Sequence, residues 1–208
     1  MREPRYSIEF PRDAFTIGKG LQAAGYRTAC IGKWHLTNNE DGNYSGLKQE
    51  AARYYGFDVT SKPLVRPDEI QTGDKAVDRL TDEAIAFIEA NRRRPFFCYL
   101  PHHSIHGPVV APPDIVKKYR DKGFPAEGLN NAAYLAAIEH FDTAIGRLLG
   151  RLDSLGLRDN TLVMFLSDNG GVSEMFQPNP PVPPDGSPVR LLPGRKEFPN
   201  TPLRGLKG

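Results

Sequence analysis

Two apolar runs, at residues 25–35 and 161–171, have the pattern of β-strands that end in polar clusters. The first reads Gly-Tyr-Arg-Thr-Ala-Cys-Ile-Gly-Lys-Trp-His, and the second reads Thr-Leu-Val-Met-Phe-Leu-Ser-Asp-Asn-Gly-Gly. In an open α/β sheet, ligands bind outside the carboxyl ends of the strands. We therefore expect these two clusters, although far apart in sequence, to form walls of one pocket.

The residue types in the two clusters indicate the chemistry of that pocket. Lys33 and His35 are two residues apart and point the same way if the chain is extended. Asp168 and Asn169 offer the oxygen ligands that hard metal ions prefer. Cationic side chains suit an anionic substrate, and oxygen ligands suit a metal ion. Together they suggest an enzyme that hydrolyses a charged ester. Spacing alone also allows a solvated Lys, a packed His and an ordinary Asp-Asn-Gly-Gly turn.

Helix and strand patterns alternate along the chain, which predicts an α/β fold with a largely parallel, buried central sheet flanked by helices. The predicted helices are residues 13–24, 74–93, 114–120 and 131–155, and the predicted strands are residues 27–31, 96–100 and 161–166. Residues 38–66 are polar and are expected to be an irregular excursion on the side of the site. Nine prolines between residues 176 and 202 predict an extended loop.

Side-chain patterns give these helices their predicted caps and buried faces. Asp13 is expected to cap the first helix, with Ile17, Leu21 and Ala24 on its apolar face. Asp74 is expected to cap the second helix, whose buried face would hold four apolar residues. These are Val77, Leu80, Ala84 and Ile88. In the last helix, the apolar stripe of Ile138, Ile145 and Leu152 is expected to pack on the sheet.

The composition is that of one globular domain and excludes several classes of partner. The net charge of +2 over 208 residues provides no basic patch for nucleic acid, and no apolar run approaches the length of a membrane span. Residues 1–5 are not followed by the apolar core of a signal peptide. Cys30 and Cys98 lie in apolar runs, which favours buried free thiols.

Four segments, in order, resemble the sulfatases, the arylsulfatase-type branch of the alkaline phosphatase superfamily. They are Gly-Tyr-x-Thr-x-x-Ile-Gly-Lys-Trp-His, Pro-Phe-Phe-Cys-Tyr-Leu with Ile-His-Gly-Pro, Ser-Asp-Asn-Gly-Gly, and the carboxyl-terminal Pro-Leu-Arg-Gly-Leu-Lys-Gly. The resemblance implies an alkaline phosphatase-like α/β fold, which is incomplete in residues 1–208. It implies a sulfuric ester hydrolase that acts on a sulfate-ester small molecule or a sulfated glycan.

The resemblance also assigns roles to individual residues. Lys33 would hold a sulfate oxygen, and His35 would bind and deprotonate the diol form of formylglycine, the nucleophile of the family. His106 would contact the sulfate and help to protonate the leaving oxygen, while Lys207 matches a second sulfate-binding lysine. Asp168 and Asn169 would be ligands of calcium, or of magnesium in some members. A zinc site at His102 and His106 would need a helix, and the flanking prolines favour a loop.

The resemblance implies an upstream pair of metal-binding Asp residues and a Cys/Ser-x-Pro-x-Arg motif, which this sequence lacks. Neither Cys30 nor Cys98 is in that motif, so formylglycine is expected in the parent protein, and the 208 residues alone are expected to be inactive. Two alternatives stay open. One is a phosphonate or phosphate monoester hydrolase, and the other is a non-catalytic module on a degenerate sulfatase core. The family is usually periplasmic, secreted or lysosomal, which leaves the localisation of this chain open.

Overall fold

A three-stranded parallel sheet lies at the centre of the computed structural model. The structure describes residues 10–34, 36, 49–61, 67–106, 109–126, 130–168, 170, 175–176 and 193–194. The strands are β1 (Arg27–Cys30), β2 (Val59–Thr60) and β3 (Phe96–Tyr99), in the order β2-β1-β3. Ala29 of β1 is in register with Val59 on one side and Cys98 on the other. The predicted parallel sheet is therefore confirmed, and β1 and β3 lie within one residue of their predicted bounds.

Five α-helices surround this sheet in the described part of the chain. They are α1 (Ile17–Ala23), α2 (Pro67–Thr72), α3 (Val77–Asn91), α4 (Pro113–Asp121) and α5 (Ala132–Ser154). Two 3₁₀ helices are present at Gln49–Tyr55 and Arg158–Asn160, and two short strands, β4 (Met175–Phe176) and β5 (Pro193–Gly194), pair antiparallel. Among the residues that can be described, no helix is long and apolar enough to cross a membrane.

Helix α3 covers one face of β1 with the side chains that its periodicity predicts. Val77, Leu80, Ala84 and Ile88 are all buried, and all but Val77 form one cluster with Ala29 of β1. Asp74 supports the start of α3, because its carboxylate accepts a hydrogen bond of 2.9 Å from the backbone N–H of Asp78. Apolar residues at helical spacing produce such a buried face, and the prediction of that face is confirmed. The predicted cap was wrong, because the N-cap position is held by Ala76, in a left-handed conformation, and not by Asp74.

Helix α1 differs from the prediction in its cap and in its buried face. Thr16, and not Asp13, caps the helix, since its hydroxyl accepts from the N–H of Lys19 and donates to the carbonyl of Tyr55. Ile17 is 65% exposed, whereas Gly18 is buried. The prediction was wrong because α1 approaches the 3₁₀ helix Gln49–Tyr55 through its smallest residue, which turns the predicted apolar face away from the core.

Helix α5 has the predicted length, but its buried face is different. Asn131 caps it by accepting a hydrogen bond of 2.9 Å from the N–H of Tyr134. Leu152 is buried as predicted, whereas Ile138 is 39% exposed. The buried positions are mostly small, with Ala132, Ala133, Ala136, Ala137 and Ala144 among them. Small residues let α5 pack closely on α3 and α4, and Ile138 of the predicted stripe is displaced from the core.

Two further expectations were wrong. Residues 38–66, expected to be irregular, contain a 3₁₀ helix and strand β2, which takes its form by pairing with β1. Residues 161–166, expected to be a buried strand, have no regular secondary structure and form no strand pairing within the described part of the chain. Their apolar side chains are exposed, with Leu162 at 84% and Phe165 at 76%. A strand pattern alone cannot bury these residues without a neighbouring strand beside them.

Candidate active site

Lys33 is placed by hydrogen bonds that join the carboxyl ends of all three parallel strands. The backbone N–H of Lys33 donates to the carbonyl of Pro101 after β3, over 2.7 Å. The N–H of Gly32 donates to the hydroxyl of Ser61 after β2, over 3.0 Å. Gly32 has φ of +128°, and a Cβ there would lie 2.1 Å from the carbonyl oxygen of Pro101. A glycine is therefore required directly before the candidate sulfate-binding lysine.

Trp34 anchors the other side of this segment. Its side chain is 5% exposed and packs on Tyr55 and Phe57, with ring centroids 5.2 and 6.0 Å away. The burial of Trp34 holds this segment against the aromatic cluster, directly after the half-buried Lys33.

Lys75 interacts with both Lys33 and the main chain of His106. His106 closes a turn in which its N–H donates to the carbonyl of His103 over 3.0 Å. Its own carbonyl accepts a hydrogen bond from the ammonium of Lys75. Burial, and then the charge of Lys33, lower the pKa of Lys75 to about 7. Lys33 and His106 therefore both neighbour Lys75, which sequence reasoning missed because it lies in none of the motifs.

Asp168 follows residues 161–166 and is exposed. Burial, and then electrostatic interactions with Cys30 and Asp168, raise the pKa of Tyr99, the last residue of β3. The interaction with Tyr99 places Asp168 near the carboxyl end of β3. Asp168 and Lys33 are thus both placed at the carboxyl edge of the sheet, although their separation is not fixed by a direct contact.

Three predicted site residues lie outside the described residues. They are His35, Asn169 and Lys207. The single cleft that was expected to join Lys33, His35, His106 and Asp168 therefore stays a prediction. A groove of about 300 Å³ is present elsewhere, between α5 and the residues that follow it. Leu149, Leu152 and Val163 line much of it, so its apolar wall does not resemble the predicted anion site.

Neither cysteine fits the position of the nucleophile. Cys30 is fully buried, and burial together with the charge of Cys98 raises its pKa to about 12. Cys98 is a half-buried free thiol whose pKa burial also raises to about 12. Because the thiolate is the reactive form, both groups are inert near neutral pH. No step of the reaction is assigned to them.

The histidines before His106 are packing residues. The ring of His102 meets that of Phe141 edge-on at 4.9 Å, and its two nitrogens have no hydrogen-bond partner among the described atoms. Burial, and then the charge of His140, lower the pKa of His102 to about 4, so its ring is neutral at physiological pH. Residues 102–106 form an irregular segment and a turn, which does not provide the helix that the zinc alternative needs.

Asp74, Asp78 and His140 form a second group with the composition of a metal site. Their ligand atoms all lie within 4.8 Å of one another, at the start of α3 and the middle of α5. However, Arg147 already donates to Asp78 over 2.8 Å. Asp74 accepts from the backbone of Asp78, and the Nε2 of His140 lies 3.3 Å from it. We therefore assign the group as an ion-pair cluster that joins α3 to α5.

Among the predicted metal ligands, Asp168 is the one that the structure describes. An exposed carboxylate at the edge of a sheet suits a hard cation, and the charge it brings to Tyr99 is the kind that a bound metal would offset. Calcium takes six to eight oxygens, so Asp168 and Asn169 would supply a minority of its ligands. The residues fit one side of such a site.

Comparison with known proteins identifies the family. The sulfatase family model matches residues 1–207. A sulfatase of Formosa agariphila is 25% identical over 88% of this chain and 42% of its own length. N-acetylgalactosamine-6-sulfatase of Mus musculus is 28% identical over 77% of this chain and 34% of its own length. The chain thus spans less than half the length of these relatives.

Solved structures agree with the fold. The structure of Ps i-CgsB in complex with k-i-k-neocarrahexaose superposes with a TM-score of 0.61, at 24% identity, over 81% of this chain and 43% of the other. A structure of BT4656 in complex with its substrate D-glucosamine-2-N,6-O-disulfate gives 0.54, at 20% identity, over 74% of this chain and 49% of the other. The predicted α/β fold and the family resemblance are both confirmed, and this chain belongs to the sulfatase family.

Proposed function

We propose that this chain is part of the catalytic domain of a sulfuric ester hydrolase and contributes cationic groups that bind the sulfate. The observation that supports the proposal is the position of Lys33 beyond the carboxyl end of β1, where it interacts with Lys75, whose ammonium donates to the backbone carbonyl of His106. A fixed ammonium there would stabilise the charge that grows on the sulfate oxygens as the ester bond breaks.

The individual roles are those that the resemblance to the family implies, and the described residues support some of them. Lys33 has its backbone fixed by Pro101, so its ammonium would be held ready to bind a sulfate oxygen. His106 is exposed on a turn, where its imidazole could donate a proton to the leaving oxygen. His35 and Lys207 are proposed to complete the anion site. Asp168 and Asn169 are proposed to bind a calcium or magnesium ion, which would supply further positive charge.

The proposed substrate is a sulfated sugar. The names of the relatives include N-acetylgalactosamine-6-sulfatase, and one similar structure holds D-glucosamine-2-N,6-O-disulfate. A carbohydrate ring and its sulfate would approach the same sheet edge from solvent, because His106 and Asp168 are both exposed there. No observation on the described residues favours a phosphonate or phosphate ester over a sulfate ester.

Binding of inorganic sulfate to this chain tests the proposal. We expect calorimetry to detect one sulfate site that Lys33→Met weakens by roughly 10- to 100-fold, since a hydrogen bond to a charged group contributes about 1.5–3 kcal/mol. Lys117→Met is the matched control, because Lys117 is exposed on α4 and pairs with Asp121. It should leave the affinity unchanged.

The outcome also separates the alternatives. Sulfate affinity that is equal in Lys33→Met and Lys117→Met would contradict the site assignment. Phenylphosphonate that binds more tightly than sulfate would favour a phosphonate or phosphate monoester hydrolase. We expect these 208 residues alone not to hydrolyse 4-nitrophenyl sulfate, because neither cysteine is in the Cys/Ser-x-Pro-x-Arg motif and burial raises the pKa of both thiols.

A further inference from the structure

Lys75 is a buried cation in the loop between α2 and α3. Its side chain is enclosed, with the residue 4% exposed, although lysine is among the residue types least often buried. Removing an ammonium from water is costly unless the surrounding groups compensate. The position of Lys75 therefore needs a physical reason beyond the packing of its hydrocarbon stem.

The backbone around Lys75 is held in an unusual conformation. Lys75 and Ala76 have φ of +50° and +64°, so two consecutive non-glycine residues are left-handed. The N–H of Lys75 donates to the carbonyl of Glu69 in α2 over 2.9 Å, and Ala76 is fully buried in the core beneath α3. Each left-handed non-glycine residue costs roughly 1–3 kcal/mol, and such residues concentrate at functional sites. The strained backbone at Lys75 and Ala76 thus accompanies a Lys75 side chain that lies in the interior.

The ammonium of Lys75 contacts the main chain of His106 and interacts with Lys33, and both are candidate sulfate-binding residues. It donates a hydrogen bond to the carbonyl oxygen of His106, across 31 positions of sequence. It also lies close enough to Lys33 for the two charges to repel, which adds to the effect of burial on its pKa. An anion bound at Lys33 would relieve that repulsion and attract both cations.

We propose that Lys75 is a positioning residue of the sulfate site: it fixes the main chain of His106 and places a second positive charge near Lys33. This inference rests on the proposed function, because it names a residue of the same anion site. The hydrogen bond holds the His106 turn to the loop between α2 and α3, and the charge of Lys75 strengthens sulfate binding without a direct contact.

The test compares sulfate binding by calorimetry in the 208-residue chain and three variants. Lys75→Met keeps the length of the stem but removes the charge and the donor, whereas Lys75→Arg keeps both. Lys117→Met again serves as the surface control. We expect Lys75→Met to weaken sulfate binding about 10-fold or more, Lys75→Arg to recover most of that loss, and the control to match the wild type. NMR of the His106 carbonyl carbon should show a change in Lys75→Met and a smaller one in Lys75→Arg.

A measurement on the wild type keeps the test decisive if a variant fails to fold. The Lys75 side chain, followed by NMR through its Cε signals, should titrate near pH 7 without sulfate and at higher pH with saturating sulfate, because the anion favours the charged form. Sulfate binding that leaves the Lys75 titration and the Lys75→Met affinity unchanged overturns this inference alone. A wild type that binds no sulfate overturns the proposed function, and this inference with it.

Discussion

Replacing Gly32 by Ala tests whether the carboxyl edge of the sheet is as tightly joined as the structure indicates. A Cβ at this position would lie 2.1 Å from the carbonyl oxygen of Pro101 and 2.9 Å from its carbonyl carbon. Both are backbone atoms and cannot rotate away. The φ of +128° is also a conformation that side-chain-bearing residues rarely adopt. The substitution must therefore separate the ends of β1 and β3.

The expected cost follows from these contacts. Backbone strain at such a φ contributes roughly 1–3 kcal/mol. Separation of the strand ends would break the hydrogen bonds from Lys33 to Pro101 and from Gly32 to Ser61, at about 0.5–1.5 kcal/mol each. The total is about 2–6 kcal/mol, a large part of the roughly 5–15 kcal/mol that stabilises a typical domain.

Urea unfolding followed by circular dichroism measures this loss, with Gly25→Ala as the matched control. Gly25 has φ of +85° but no atom within 4 Å of its added Cβ, so its substitution should cost only the strain of a left-handed residue, roughly 1–2 kcal/mol. Gly32→Ala should also weaken sulfate binding, since Lys33 moves with the strand end. If the two substitutions reduce the free energy of unfolding equally, the close approach of Gly32 to Pro101 is wrong.

Three further predictions concern stability. Gly146→Ala should raise the free energy of unfolding by about 0.5–1 kcal/mol in thermal melts, because this glycine is inside α5 with open space around it. Asn131→Ala should lower it by about 0.5–2 kcal/mol, since the cap of α5 is lost. Burial raises the pKa of Asp58, but hydrogen bonds from Thr28 and Gln22 and a nearby guanidinium lower it overall. The stability that Asp58 contributes should therefore be present above pH 3.8 and be lost as the pH falls through its lower folded pKa, and Asp58→Asn should remove this acid dependence.

The elements that sequence predicts well are those whose signals are local. Strand β1, strand β3 and helices α3 and α4 have their own apolar periodicity and end at glycine or proline. Strand β2 has two residues and is defined by its pairing with β1, so its own sequence does not predict a strand. The burial of Gly18 and of the alanines in α5 depends on which neighbours approach, and the length of a side chain does not indicate this.

The residues of the candidate site also differ in whether the sequence indicates them. Lys33, His106 and Asp168 each lie in a recognisable motif, so the sequence singles them out, and the structure places Lys33 and Asp168 near the carboxyl edge of the sheet. Lys75 could not be predicted in this way, because its position depends on two left-handed residues and on a partner 31 positions away. A cationic residue that lies near a site but outside its sequence motifs can be identified only from the three-dimensional structure.

The exposed segment at residues 162–166 has a consequence for how this chain behaves in concentrated solution. It reads Leu-Val-Met-Phe-Leu, is exposed, and carries neither a charge nor a proline. Such short segments stack with identical copies into dry cross-β ribbons, and β3 is an edge strand of the described sheet that offers a second template. We therefore expect the segment that precedes Asp168 to promote aggregation, and a charged residue in place of Val163 to oppose it.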